Sequence, residues 1–133
     1  MRKKFVVMFT FALAFASATP AMAHSNAKFI TGPNGGHMID AGGGAQHWEL
    51  TANGGEMTLY VTDEAEKPIE TAGSSAEGRV LVGGKNHTVK FMPAGGNTMK
   101  ATGDFVAAHG MKVIVKTDGV GGKSFQARLT PLK

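Results

Sequence analysis

Short runs of alternating apolar and polar residues, each closed by glycine, fill the chain beyond its first two dozen positions. This pattern restricts the fold more than any other property of the sequence. A period of two sends successive side chains to opposite faces of a strand. Nowhere past the amino-terminal segment does a 3.6-residue period persist for the ten or more residues that a helix requires. The alternation predicts strands at His37–Asp40, His47–Thr51, Met57–Asp63, Gly78–Val82, His87–Met92, Thr98–Gly103, Met111–Thr117 and Ser124–Leu129. Between them lie Ala41-Gly42-Gly43-Gly44, Asn53-Gly54-Gly55, Gly83-Gly84-Lys85-Asn86, Ala94-Gly95-Gly96-Asn97 and Asp118-Gly119-Val120-Gly121-Gly122, all with turn chemistry. These glycine pairs join strand to strand, and no helix amino terminus follows to hold an anion, so they read as turns and not as phosphate cradles. The expectation is an all-β fold: an antiparallel immunoglobulin-like β-sandwich of about seven or eight strands, ahead of a small barrel.

The alternation also assigns faces. Met57, Leu59 and Val61 lie on one side of their strand, Met111, Val113 and Val115 on one side of theirs, and Phe125, Ala127 and Leu129 likewise. These residues, joined by Trp48 and Leu50, form the expected core. Glu64 to Pro68 and Thr71 to Glu77 read as exposed loops.

The amino-terminal segment follows a different logic. Met1-Arg2-Lys3-Lys4 is basic, Phe5 to Ala18 is apolar, and Ala21-Met22-Ala23 sets small residues three and one positions before a cut. That is the pattern of a cleaved secretory signal over residues 1–23, and its apolar run is too short to span a bilayer. Cleavage leaves His24 as the new amino terminus of a periplasmic chain that is not membrane-spanning. Residues 24–34 then read as a loosely docked arm and 35–133 as the sandwich domain. Three of the 14 basic residues leave with the signal and none of the 10 acidic ones, so the mature chain is close to neutral. Its remaining cations, among them Lys67, Arg79, Lys85, Lys90, Lys100, Lys112, Lys116 and Arg128, are interspersed with carboxylates along the sequence, which argues against a nucleic-acid partner. The absence of cysteine excludes disulfides, a thiolate metal site and a lipid anchor on an amino-terminal Cys.

No nucleophile elbow, Ser-x-x-Lys, Walker loop or zincin motif is present, so the sequence does not read as an enzyme. The supply of nitrogen and sulfur donors is the notable chemistry. All five histidines, His24, His37, His47, His87 and His109, fall after the signal, as do Met38, Met57, Met92, Met99 and Met111. Imidazole and thioether without thiolate suit copper, with zinc less favoured. An amino-terminal His24 offers its α-amine and Nδ1 as a chelating pair. His37 and His47 flank the Gly42-Gly43-Gly44 turn with the same parity, so they are expected on one face with Glu49 one pleat further, a candidate divalent-metal site. Met92 and Met99 flank the Pro93–Thr98 bend, either as a thioether pair or as a plug under the turn. His87 is placed opposite Val82 across a four-residue Gly83–Asn86 turn, as a histidine at the edge of the core. His109 is a reserve ligand only.

Gly32-Pro33-Asn34-Gly35-Gly36-His37, His47-Trp48-Glu49-Leu50 and Leu59-Tyr60-Val61-Thr62-Asp63 with Lys67-Pro68-Ile69 together resemble small periplasmic β-sandwich domains associated with heavy-metal efflux and copper resistance. Some such domains stand alone, and others are attached to adaptor subunits of resistance-nodulation-division pumps. His24 by itself resembles the amino-terminal Cu(II) ligand of CopC-type copper carriers, and it alone carries over on that basis. The resemblance implies a periplasmic copper-binding accessory protein that partners a metal-efflux or other envelope complex. The alternative from another class is a metal-free interaction or structural module that docks to an envelope complex through a sheet edge.

Overall fold

The alternating runs become strands whose apolar faces meet in one core. A computed structural model describes residues 29–132, so residues 1–23, read above as a secretory signal, and His24 lie outside the described residues. Nine strands follow in order: β1 (Ile30–Thr31), β2 (His37–Ala41), β3 (Gln46–Asn53), β4 (Glu56–Asp63), β5 (Ser75–Val82), β6 (Lys85–Pro93), β7 (Thr98–Thr102), β8 (Lys112–Asp118) and β9 (Gln126–Leu129). Every pairing between them is antiparallel. The spatial order β1-β2-β3-β4-β7-β6-β5-β8-β9 makes one continuous sheet. It curls because β6 serves both halves: Lys85 to Phe91 pair with β5, and Met92 and Pro93 pair with β7.

The fold is therefore all-β and sandwich-like, as the alternation predicts, with nine strands in place of seven or eight. The additional strand, β1, belongs to the arm 24–34, which joins the sheet where Ile30 pairs with Met38 and Thr31 with His37. A stretch read as loop also proves to be strand, since β5 starts at Ser75. Among the described residues no helix is long and apolar enough to cross a membrane.

The core is the one the alternation assigns. Trp48, Leu50, Met57, Leu59, Val61, Val113, Val115 and Leu129 have no exposed surface, and Phe91, Met99 and Met111 join them. Phe125 and Ala127 pack against this cluster from its margin. Burying each large aliphatic side chain stabilises the fold by about 1.5–3 kcal/mol. One polar chain crosses the core. Trp48 Nε1–H donates to Gln46 Oε1 at 3.0 Å, and Gln46 Nε2–H donates to the Val120 carbonyl at 2.9 Å. Gln46 is 2 % exposed, so this relay satisfies an indole N–H and a primary amide that would otherwise stand unpaired in an apolar interior.

Two turns decide which side chains share a face. Gly83 and Gly84, both in the left-handed region with φ of 58° and 73°, make a two-residue hairpin, shorter than the four-residue turn expected. His87 accordingly faces Val80 and not Val82, but a change of two residues preserves parity, so His87 keeps its place on the core side. The β2–β3 turn behaves differently, and it governs the site.

Candidate functional site

Ala41 pairs with Gln46, which leaves four residues, Gly42 to Ala45, in the β2–β3 loop. The three glycines take φ of 60°, 70° and 98°, a region that L side chains rarely adopt, and Ala45 closes the turn in the right-handed helical region. A three-residue loop would have put His37 and His47 on one face. The fourth residue slips the register by one, and a slip of one reverses every side chain. His37 pairs with Leu50 and faces inward, whereas His47 pairs with Asp40, and Glu49 with Met38, on the outward side. The expected common face for His37 and His47 is thus corrected; His47 and Glu49 do share one.

His37 is occupied. Its Nδ1 accepts the Thr130 backbone N–H at 2.8 Å, and its ring stacks on Phe29 with centroids 4.6 Å apart. Because a backbone N–H only donates, Nδ1 must be unprotonated and the neutral ring carries its proton on Nε2. Neither nitrogen then offers a lone pair to a metal. Burial lowers the pKa of the ring below the usual 6.5, in keeping with that neutral state. The bond ties β2 to the residue after β9, across the gap where the two ends of the curled sheet approach.

Glu49 is occupied as well. Although it faces outward, the loop 32–36 folds over it and leaves it 3 % exposed. Asn34 donates its backbone N–H to both carboxylate oxygens, at 2.9 and 3.2 Å, and its side-chain Nδ2 to one of them at 2.9 Å. Gly36 N–H adds a fourth contact at 2.8 Å. A β-carbon at Gly32 would stand 2.3 Å from the carboxylate carbon, so this close wrapping requires glycine there. Carboxylates that accept several backbone N–H groups organise loops, and Glu49 does so here.

His47 is the donor that remains. Its Nδ1 sits 2.7 Å from Asp40 Oδ1, directly across the strand pair, with the histidine side chain 22 % exposed. A carboxylate on one imidazole nitrogen fixes the tautomer and orients the other nitrogen as a base or ligand. The chemistry available is therefore coordination or proton exchange at Nε2. Asp40 is the partner of His47 that the sequence reading missed. Only a four-residue loop that includes Ala45 brings Asp40 opposite His47, and no residue type in the turn signals that length.

The other candidates disperse. Met99 is fully buried while Met92 is 64 % exposed, so the thioether pair does not form. His87 is half-buried with its ring edge toward Phe105. His109 is exposed in the turn before Met111. Among the described residues no group of three or more His, Cys, Asp or Glu gathers as a metal site. The cations, by contrast, do not stay interspersed: Arg79, Lys90, Lys112, Lys116 and Arg128 come together on the outer face of β6, β5, β8 and β9. No family model, no curated protein and no solved structure matches the chain.

Proposed function

We propose that the chain is an exported, non-catalytic accessory protein of the periplasm that takes up a copper-like ion at His47, with His24 supplying further nitrogen ligands. The observation that carries this reading is the Asp40–His47 pair at 2.7 Å, which orients one imidazole on a rigid hairpin and leaves Nε2 for a ligand. The direction of β1 supports it. Ile30 lies opposite Met38 and Thr31 opposite His37, so the chain enters the sheet from the Asp40 end of β2. The five residue-to-residue steps from His24 to Phe29 can span at most about 18 Å, enough to reach across a few strands. His37 and Glu49 are not part of this ligand set. An imidazole with an α-amine and a second imidazole favours Cu(II) over hard cations.

The test is a titration of Cu(II), Cu(I) and Zn(II) into protein processed to begin at His24. His24→Ala and His47→Ala should each weaken Cu(II) binding about tenfold or more, while His37→Ala leaves it unchanged per folded molecule. Equal affinity in the first two variants and the parent removes His24 and His47 from the site, and no uptake of any of the three ions removes the metal from the function.

A further inference from the structure

The outer side of β6-β5-β8-β9 is a predominantly basic surface that the metal reading does not use. Its composition follows from register. Gly78 and Val80 of β5 point into the core, so Glu77, Arg79 and Leu81 point out. Across from them stand Lys90, Thr88 and Asn86 on β6, and Lys116, Ile114 and Lys112 on β8. Arg128 lies beyond Ile114 and Gln126 beyond Lys116 on β9. Five cations thus share the face with two carboxylates, Glu77 within it and Asp118 at the end of β8. All five are exposed, and among the described residues none has a carboxylate within 4.0 Å, since the side-chain contacts of that kind there are Asp40–His47 and Lys100–Glu56. Leu81 and Met92, exposed by 39 % and 64 %, project from the same side.

From this surface we infer that the domain docks peripherally on a bilayer containing anionic phospholipid, with β6-β5-β8-β9 lying against the headgroups. Charge complementarity selects an anionic partner, and the layout selects which one. The cations are spread over four strands at strand spacing, about 4.8 Å across and 6.8 Å along, so they meet a two-dimensional array of phosphates better than one compact anion. No aromatic residue lies among these outward positions to stack on bases, and no helix is there to enter a groove, which disfavours nucleic acid. The shallow depression lined by Arg79, Leu81, Asn86, Lys112, Ile114 and Arg128, about 250 Å³, has an aliphatic floor and a basic rim. Exposed Leu81 and Met92 can enter the headgroup boundary while the lysine and arginine heads reach phosphate. The inference stands independently of the copper reading.

The experiment is co-sedimentation of the mature domain with vesicles of phosphatidylglycerol and phosphatidylcholine, set against vesicles of phosphatidylcholine alone. Binding is expected to the anionic vesicles only, and to fall steeply as salt is raised toward about 1 M, where screening reaches about 3 Å. Each face cation changed to glutamine, in Arg79→Gln, Lys112→Gln and Arg128→Gln, should lower the partition roughly fivefold. Lys67→Gln, away from the face, should leave it unchanged. Circular dichroism of each variant checks that the fold is kept. No uptake by anionic vesicles, or uptake indifferent to the three substitutions, overturns the inference. So does tighter binding to a single-stranded oligonucleotide than to lipid, or a self-association that these same substitutions abolish while vesicle binding is absent.

Discussion

His37 and His47 stand at opposite ends of one hairpin and on opposite faces of it, and their surroundings differ in kind. The inward ring is held between Phe29 and Thr130, its acceptor nitrogen filled by a backbone N–H. The outward ring is held by a carboxylate that is itself 69 % exposed. A backbone donor locks a histidine neutral and turns it into a fastener. A carboxylate acceptor keeps the proton on Nδ1 and leaves Nε2 as a lone pair. The same residue type therefore closes the sheet at one position and offers chemistry at the other, and what separates them is the partner's donor or acceptor character. Glu49 repeats the lesson among carboxylates: it is surrounded by N–H donors and organises a loop, whereas Asp40 meets one imidazole and orients it.

If that contrast is right, removing the structural members costs stability and removing the outward pair does not. The largest effect is expected from Glu49→Ala, which strips four hydrogen bonds from the 32–36 loop at once. A loss of about 2–4 kcal/mol follows from the charged, sheltered nature of these bonds. Guanidinium unfolding measures the loss, and amide exchange at Asn34 and Gly36 should accelerate with it. Copper affinity per folded molecule should not change. A variant as stable as the parent would mean the loop is held by something other than the carboxylate.

His37→Ala comes next, at about 1–3 kcal/mol, because it leaves the Thr130 N–H without its acceptor and removes the stacked ring. Here pH sharpens the contrast. The folded-state pKa of His37 is lowered by burial, so the unfolded chain binds this proton more readily than the folded one. The contribution of His37 to stability is therefore complete above about pH 6.5 and is lost as pH falls through 6.5 toward the lower folded value. Protonation would also set a second donor against the Thr130 N–H. Urea midpoints compared above and below about pH 6.5 should show the parent losing stability in acid, and His37→Ala losing less. Parallel pH curves for the two proteins would deny His37 this role.

The core and the strand periodicity were legible because both rest on parity within a strand, which the sequence displays directly. Met57, Leu59, Val61, Val113, Val115 and Leu129 are buried where alternation puts them. Faces across a turn are a different matter, since they depend on loop length counted to the residue. At Gly83-Gly84 the miscount was even and harmless to the face of His87. At Gly42–Ala45 it was odd, and it exchanged His37 for Asp40 as the neighbour of His47. An alanine after three glycines gives no sign of whether it ends the turn or begins the strand. The gathered cations were hidden for a related reason: Arg79, Lys90, Lys112, Lys116 and Arg128 are far apart in sequence, and only the order β6-β5-β8-β9 brings them together. Nor does short β-propensity announce β1, where a two-residue strand is fixed by the loop that follows it.

The smallest effect on stability should come from the outward pair, and there it is the mismatch between two readouts that carries the argument. Asp40→Ala removes a carboxylate 2.7 Å from His47 Nδ1. Exposed polar contacts of this sort contribute about 0–1 kcal/mol, so the unfolding midpoint should scarcely move. Metal affinity should move, because the imidazole loses the group that fixes its tautomer and direction, and such supporting contacts are worth about 10–100-fold in binding. Asp40→Asn discriminates further. It keeps the shape and can still accept through its carbonyl oxygen, so it should retain the orientation of His47 while losing the charge that strengthens it as a ligand. An intermediate Cu(II) affinity for Asp40→Asn, between the parent and Asp40→Ala, with all three equally stable, is the expected order. Asp40→Ala binding copper as tightly as the parent would reduce the pair to a surface contact and leave His47 without the feature that sets it apart from the other histidines.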